Sequence, residues 1–253
     1  MRGFFHQQLA AAAFLGFLAS GPPAEADALV KFTSAGQGDA IQGYLTRPKG
    51  GSTFPAIVLL HTCLGLPAER VAIGERIAAW GYVALFVDDF ATRGLKETCA
   101  VDFNPALLDA DGALAYLSRL PYVDPTRVAA VGFSQGGDTA LKIAAGGAAG
   151  FKAAAAFYAP CANLDGAALQ IPTLILVGAK DEVTPARDCA ALAKRQQPGM
   201  VKLVVYPGAA HAFDLPEFSG GRQIMGMSLA YDGNAAQRAW SELRSFLAAR
   251  LKR

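Results

Sequence analysis

No run of basic residues occurs in the 253-residue chain, aromatic and basic side chains do not interleave, and the formal net charge is only +2. Affinity for nucleic acid or for an anionic membrane surface rests on concentrated positive charge, so neither partner is expected. None of the four cysteines, at 63, 99, 161 and 189, stands at the C-x-x-C spacing of a zinc or redox motif. There is no internal repeat and no low-complexity linker. Charged residues are 17% of the chain and apolar residues 53%, a balance that builds a full core rather than a disordered segment. The length suits one domain of the α/β type. Histidine is scarce: only His6, His61 and His211.

One apolar run stands apart. After the positive start Met1-Arg2, residues 9–19 (LAAAAFLGFLA) are apolar, Pro22-Pro23 ends any helix, and small-x-small sites follow at Ala24-Glu25-Ala26 and Ala26-Asp27-Ala28. The run is shorter than the ~20 residues that span a bilayer. A signal peptide over residues 1–26 is therefore expected, cleaved after Ala26 or Ala28, followed by one domain over 27–253 in the periplasm or outside the cell. A retained membrane anchor is the alternative. In an oxidising compartment an even number of cysteines implies disulfides, and spacing alone allows three pairings. A cytosolic chain would instead keep four reduced thiols.

Strand-like and helix-like stretches alternate along the rest. Residues 28–34 and 40–47, separated by Gly36-Gln37-Gly38, read as an antiparallel start. Residues 56–60, 82–87, 127–132, 151–158, 173–177 and 201–206 read as strands buried on both faces. Helices are expected over 69–80, 105–120 (capped by Asn104), 136–145, 185–196 and 235–251, with a loop over 88–103. The alternation implies a mostly parallel sheet of about seven or eight strands flanked by helices on both faces. In such sheets the chemistry lies beyond the carboxyl ends of the strands.

Gly132-Phe133-Ser134-Gln135-Gly136 falls there, between a strand and a helix. This G-x-S-x-G pattern resembles the nucleophile elbow of the α/β-hydrolase fold, where a strained turn presents a serine and the following helix N-terminus supports an oxyanion. Gln135 N–H is then one oxyanion donor. A serine nucleophile needs a base. His6 lies in the leader, and the order serine, acid, histidine selects His211 over His61, leaving His61 a structural residue of the loop after the third strand. Between Ser134 and His211 the strand 173–177 leads into Asp181 and Glu182. Adjacent loop residues point differently, so only one can serve; Asp181 is the choice and Glu182 an exposed neighbour. The second oxyanion donor is expected in His61-Thr62-Cys63-Leu64-Gly65, at Cys63 N–H with Leu64 the rival.

Taken together, Leu60-His61-Thr62-Cys63-Leu64-Gly65, Gly132-Phe133-Ser134-Gln135-Gly136-Gly137, Gly178-Ala179-Lys180-Asp181-Glu182-Val183-Thr184-Pro185 and Gly208-Ala209-Ala210-His211-Ala212-Phe213 resemble the dienelactone hydrolase family, in that family's order and over most of the mature chain. The resemblance implies a compact hydrolase of small esters or lactones that works through an acyl-enzyme, with no metal and no cofactor. It favours Asp181, since proline stands four residues on. The chain also departs from the best-known members. Ser134 replaces their cysteine nucleophile, Thr62 stands where a glutamate meets the thiol, and Leu215 lies near the place of an arginine that binds substrate carboxylate. Arg93 is left as a candidate anion contact or a solvated loop arginine. Leu64, Phe133 and Phe213 are candidate pocket walls. The resemblance further suggests disulfides Cys63–Cys99 and Cys161–Cys189, each clamping active-site loops. Peptidase or acyltransferase activity on the same triad, or a non-catalytic binding protein with a relic site, are the competing readings.

Overall fold

The computed structural model describes residues 24–252 apart from 37, 52, 102 and 165. The leader through residue 23, and Gln37 of the predicted turn, lie outside the described residues. In chain order the elements are β1 (Ala24–Thr33), β2 (Ala40–Pro48), β3 (Phe54–Leu60), α1 (Arg70–Ala79), β4 (Val83–Asp88), α2 (Pro105–Leu117), β5 (Val123–Phe133), α3 (Gln135–Lys142), β6 (Ala153–Phe157), β7 (Thr173–Gly178), α4 (Ala186–Lys194), β8 (Val201–Tyr206), β9 (Arg222–Ile224), β10 (Met227–Leu229) and α5 (Gly233–Leu251). Eight strands form one sheet in the order β1-β2-β4-β3-β5-β6-β7-β8. β1 and β2 are antiparallel to each other, β2 is antiparallel to β4, and every later pairing is parallel.

The expected α/β-hydrolase architecture is therefore present. The central strands are buried on both faces, which is why they read as unbroken apolar runs. Successive side chains alternate between the two sides. Ile57, Leu59, Val131, Leu174 and Leu176 meet Ile73 and Ile77 of α1 and Trp240, Leu243 and Leu247 of α5. Ala56, Val58, Val128 and Ala130 face α2 and α3, while Ile175 and Val177 face α4. β8 departs from the buried pattern: Lys202 and Val205 are exposed, Val201, Leu203 and Val204 half-buried, and only Tyr206 is buried, because the strand closes one edge of the sheet and has a neighbour on one side only.

Other details differ from the sequence reading. Asn104 precedes α2 but makes no side-chain cap, having helical angles of φ −68 and ψ −28; Pro105 alone starts the helix. The helix after Ser134 gives way at Ile143 to a widened turn running to Gly147. The β9–β10 hairpin was not anticipated. Its strands have three residues each, too short to show a period. Its two-residue turn, Met225-Gly226, has φ of 51 and 79, the left-handed pair of a tight hairpin, with methionine where asparagine is usual. A parallel bridge from Leu229 to His211 fastens the hairpin beside the carboxyl ends of the central strands.

Candidate active site

Ser134 sits between β5 and α3 with φ 53 and ψ −112, a conformation a residue with a side chain adopts only under constraint. The constraint is visible. Ser134 N–H donates to Phe157 O at 3.0 Å, and Asp138 N–H donates to Ser134 O at 3.0 Å. A Cβ on Gly132 would lie 1.9 Å from Gly136 O, and one on Gly136 would lie 2.2 Å from Leu60 O. Both clashes are with backbone, so the turn closes only with glycine at these two places.

His211 lies in the loop after β8 and Asp181 in the loop after β7. The two loops are sewn together by Lys180 N–H donating to Ala209 O at 2.9 Å. His211 Nε2 is 2.9 Å from Ser134 Oγ, and its Nδ1 is 2.8 Å from Asp181 Oδ2; all three side chains are buried. Asp181 Oδ1 accepts from the backbone N–H of Val183 and Thr184 at 2.9 and 2.8 Å. Glu182 is exposed. A carboxylate held this way fixes the Nδ1–H tautomer and leaves Nε2 free to accept the serine proton.

Two further residues support this line, and sequence reasoning missed both roles. Thr184 Oγ1 is 2.8 Å from Asp181 Oδ2, 3.0 Å from Tyr158 O and 3.3 Å from His211 Nδ1. Its single proton serves one of them at a time. The signal was present, since threonine three residues after a loop aspartate is a common local hydrogen-bonding pattern. Tyr158 is the second. Its ring packs edge-on against the imidazole at 4.8 Å, and its hydroxyl donates to Asp214 Oδ1 at 2.8 Å. Both groups are buried. Burial pushes the Asp214 carboxyl up to about 6 and the Tyr158 phenol well above its ordinary 10.0.

On the other side of Ser134 lies the loop after β3. Leu64 N–H donates to Thr62 Oγ1 at 3.1 Å and Gly65 N–H to Thr62 O at 3.0 Å. Among the described residues no acceptor faces Cys63 N–H or Gln135 N–H. His61 braces this loop. Its carbonyl accepts from Gly136 N–H at 3.0 Å, Nδ1 is 2.7 Å from Thr62 O, and Nε2 is 2.6 Å from Asp89 Oδ1. Burial works against charge on His61, but Asp89 outweighs it and the ring titrates above its ordinary 6.5. The structure pairs Cys63 with Cys99 and Cys161 with Cys189. The first bridge ties the loop after β3 to the loop after β4. The second ties residues after β6 to α4.

The expected substrate contacts divide. Leu64 lines a small apolar space beside Ser134 and His211, together with Phe218, Met227 and Leu229. Phe133 and Phe213 do not reach it. Phe133 packs in the core among Phe86, Phe157 and Trp240, and Phe213 is fully buried against Tyr158 and Tyr206. Phe133 ends β5 one residue before Ser134, and Phe213 follows His211 past the left-handed Ala212 (φ 56); both side chains lie in the core. Arg93 also lies elsewhere. Its guanidinium grips Asp109 at 2.7 and 3.0 Å, and Asp89 O at 2.8 Å, so it neutralises a fully buried carboxylate. The remaining walls, Phe218, Met227 and Leu229, come from the hairpin region that sequence did not reveal.

With this geometry in hand, the similarities to known proteins are consistent. Residues 41–251 match the dienelactone hydrolase family. A protein of Synechocystis sp., provisionally named carboxymethylenebutenolidase, is 24% identical over 245 residues, covering 84% of this chain and 93% of its own. Cutinase 2 of Thermobifida cellulosilytica is 29% identical over 145 residues, 56% of this chain and 54% of the cutinase. The chain thus spans about half the length of the cutinases it matches. A dienelactone-hydrolase-like promiscuous phosphotriesterase from metagenomic libraries superposes with a TM-score of 0.73 at 22% identity, covering 89% of this chain and 99% of that one. That likeness establishes the fold.

Proposed function

The chain belongs to the dienelactone hydrolase family, and on that premise we propose that it is a serine hydrolase cleaving a small ester or lactone through an acyl-enzyme. The observation that carries this is the continuous line from Ser134 Oγ through His211 to Asp181, with contacts of 2.9 and 2.8 Å. Ser134 attacks the carbonyl while His211 Nε2 takes its proton. Asp181 holds the imidazole and stabilises its charged form without itself being protonated. The developing oxyanion accepts from Gln135 N–H and Cys63 N–H, each such donor being worth on the order of 3 kcal/mol in the transition state. His211 returns the proton to the leaving oxygen, and water repeats the sequence on the acyl-enzyme.

The substrate reading is a neutral ester or lactone. Arg93 is committed to Asp109, and Leu215, near the family's arginine position, is buried. Neither offers a clamp for a substrate carboxylate. A periplasmic or secreted location is supported by the two disulfides. No helix among the described residues is long and apolar enough to cross a membrane.

The test is Ser134→Ala, with a fluorophosphonate probe applied to both proteins. The expected outcome is a folded variant that neither cleaves esters nor labels, beside a wild type that labels at Ser134. Full ester cleavage by the variant would refute the assignment.

A further inference from the structure

Ser134 stands at the junction of two spaces of different character. One is small and apolar, walled by Leu64, Ala212, Phe218, Met227 and Leu229, and its free volume is about 10 Å³, room for about one water molecule. The other is a groove of about 200 Å³. It runs past Gln135, Asp138, Lys142 and Asn163, whose side chains are polar, with Asp138 holding Lys142 at 2.8 Å and Asn163 at 3.1 Å. Cys63, Ser134 and Met227 border both spaces. Met227 is therefore the partition between them.

The imidazole decides which half of a substrate enters which space. In acylation the leaving oxygen must come within hydrogen-bond reach of the proton on His211 Nε2. His211 itself lines the small apolar space and is absent from the walls of the groove, which meets the ring only across Ser134 Oγ, 2.9 Å from Nε2, and Thr184 Oγ1, 3.3 Å from Nδ1. The leaving group therefore belongs on the small, apolar side that the imidazole walls, and the acid part in the larger groove.

We propose that the small apolar space is the leaving-alcohol subsite and that Met227 sets its size, so the substrates are esters of methyl- to ethyl-sized alcohols with a larger acid part. This rests on the serine-hydrolase reading above and names its substrate class. Met227 suits the role. It is unbranched and half-buried, it fills irregular gaps readily, and it sits one residue past the left-handed turn of a hairpin held to the site by the His211–Leu229 bridge.

The experiment uses the purified full chain and two ester series: methyl to hexyl lactate, and methyl esters of acids from acetate to octanoate. One methylene group that does not fit a pocket costs roughly tenfold in kcat/KM. Between ethyl and butyl lactate the wild type should fall by at least about that factor, while lengthening the acid has little effect. Met227→Ala should restore butyl lactate by about tenfold relative to ethyl and shift the relative rates within the acid series by less than that. Met227→Phe should steepen the alcohol series further. Equal cleavage of ethyl and butyl lactate by the wild type overturns the proposal, as does a Met227→Ala variant that changes the acid series instead. Should Met227→Ala lose its near-ultraviolet circular dichroism, Met227→Val takes its place. Fluorophosphonate labelling at Ser134 separates the two readings. Labelling with a flat alcohol series sinks the subsite alone, and absence of labelling sinks the serine-hydrolase reading with it.

Discussion

Thr98 Oγ1 donates to the side-chain carbonyl of Gln135 at 2.8 Å. The Thr98 backbone N–H also donates to Cys63 O at 2.9 Å, and the next residue, Cys99, is bonded to Cys63. Both proposed oxyanion donors thus hang on one short segment, although Gln135 and Cys63 lie far apart in sequence. The Cys63–Cys99 disulfide is thus tied to the geometry of the proposed oxyanion site.

Removing Cys63 and Cys99 together, as serines, should therefore do two things. Stability should fall by about 2–4 kcal/mol, the usual effect of losing a bridge over a loop of this size. The kcat should fall more than KM rises, because the donors matter most in the transition state. The Cys161→Ser/Cys189→Ser pair should lose comparable stability and keep most of its activity. Thermal unfolding and ester kinetics on the two double variants check this; equal kinetic losses would separate the first bridge from the oxyanion site.

Thr184→Val should keep the fold and slow the enzyme. A hydrogen bond to a charged group is worth about 1.5–3 kcal/mol, so kcat should fall by about 10- to 100-fold with KM little changed. Thr184→Ser should recover most of the loss. A Thr184→Val variant with wild-type kcat would show that the two backbone donors hold Asp181 without the hydroxyl.

Asp214 predicts a pH effect on stability. Its carboxyl titrates near 6 in the folded chain, pushed up by burial, against an ordinary 3.8. The folded state thus holds the proton more tightly than the unfolded state. The burden is absent below about pH 4, grows as pH rises from 4 to 6, and is complete above that. Its full size is about 3 kcal/mol, at about 1.4 kcal/mol for each tenfold difference in proton affinity. Asp214→Asn escapes it and keeps an acceptor for the Tyr158 hydroxyl. The stability of Asp214→Asn relative to wild type should therefore improve by up to about 3 kcal/mol between pH 4 and pH 7. Urea unfolding of both proteins across that range measures it, and a constant difference would contradict the assignment.

Where the proposed signal peptide is cleaved can be narrowed from β1. The strand begins at Ala24, inside the segment expected to be removed, but its register against β2 shifts between Glu25 and Ala28. Cleavage after Ala26 leaves the continuous pairing from Ala28 to Thr33, and the ion pair of Asp27 with Arg70 at 3.2 Å. Cleavage after Ala28 removes that ion pair and the first rung. The mature chain should therefore start at Asp27. Mass spectrometry of the N-terminal peptide, after expression of the full chain with its leader, checks this, and a start at Leu29 would mean that those contacts do not govern cleavage.

Much of the site was legible from local pattern. Ser134 between two glycines, after an apolar strand and before a helix, demands one backbone geometry, because only glycine permits the approach of Gly136 O to Gly132. The apolar runs of β3, β4 and β7 announced a sheet covered on both faces, and chain order with three histidines left little choice of base. What pattern did not decide were contacts between residues distant in sequence. Phe133 and Phe213 have the right chemistry for a pocket, yet their neighbours' orientation turns them into the core. Arg93 has the right charge for an anion, yet Asp109 had already taken it. Thr184, Tyr158 and Asp214 form the support behind His211 only because three strand ends converge. Met227 became a wall only when a hairpin with three-residue strands was laid across the cleft. The sequence by itself determined the elbow, the order of the reacting groups and the layers, since each follows from steric limits or side-chain period over adjacent residues. The shape of the substrate space was decided by tertiary packing, because its walls come from loops whose mutual placement no local preference dictates.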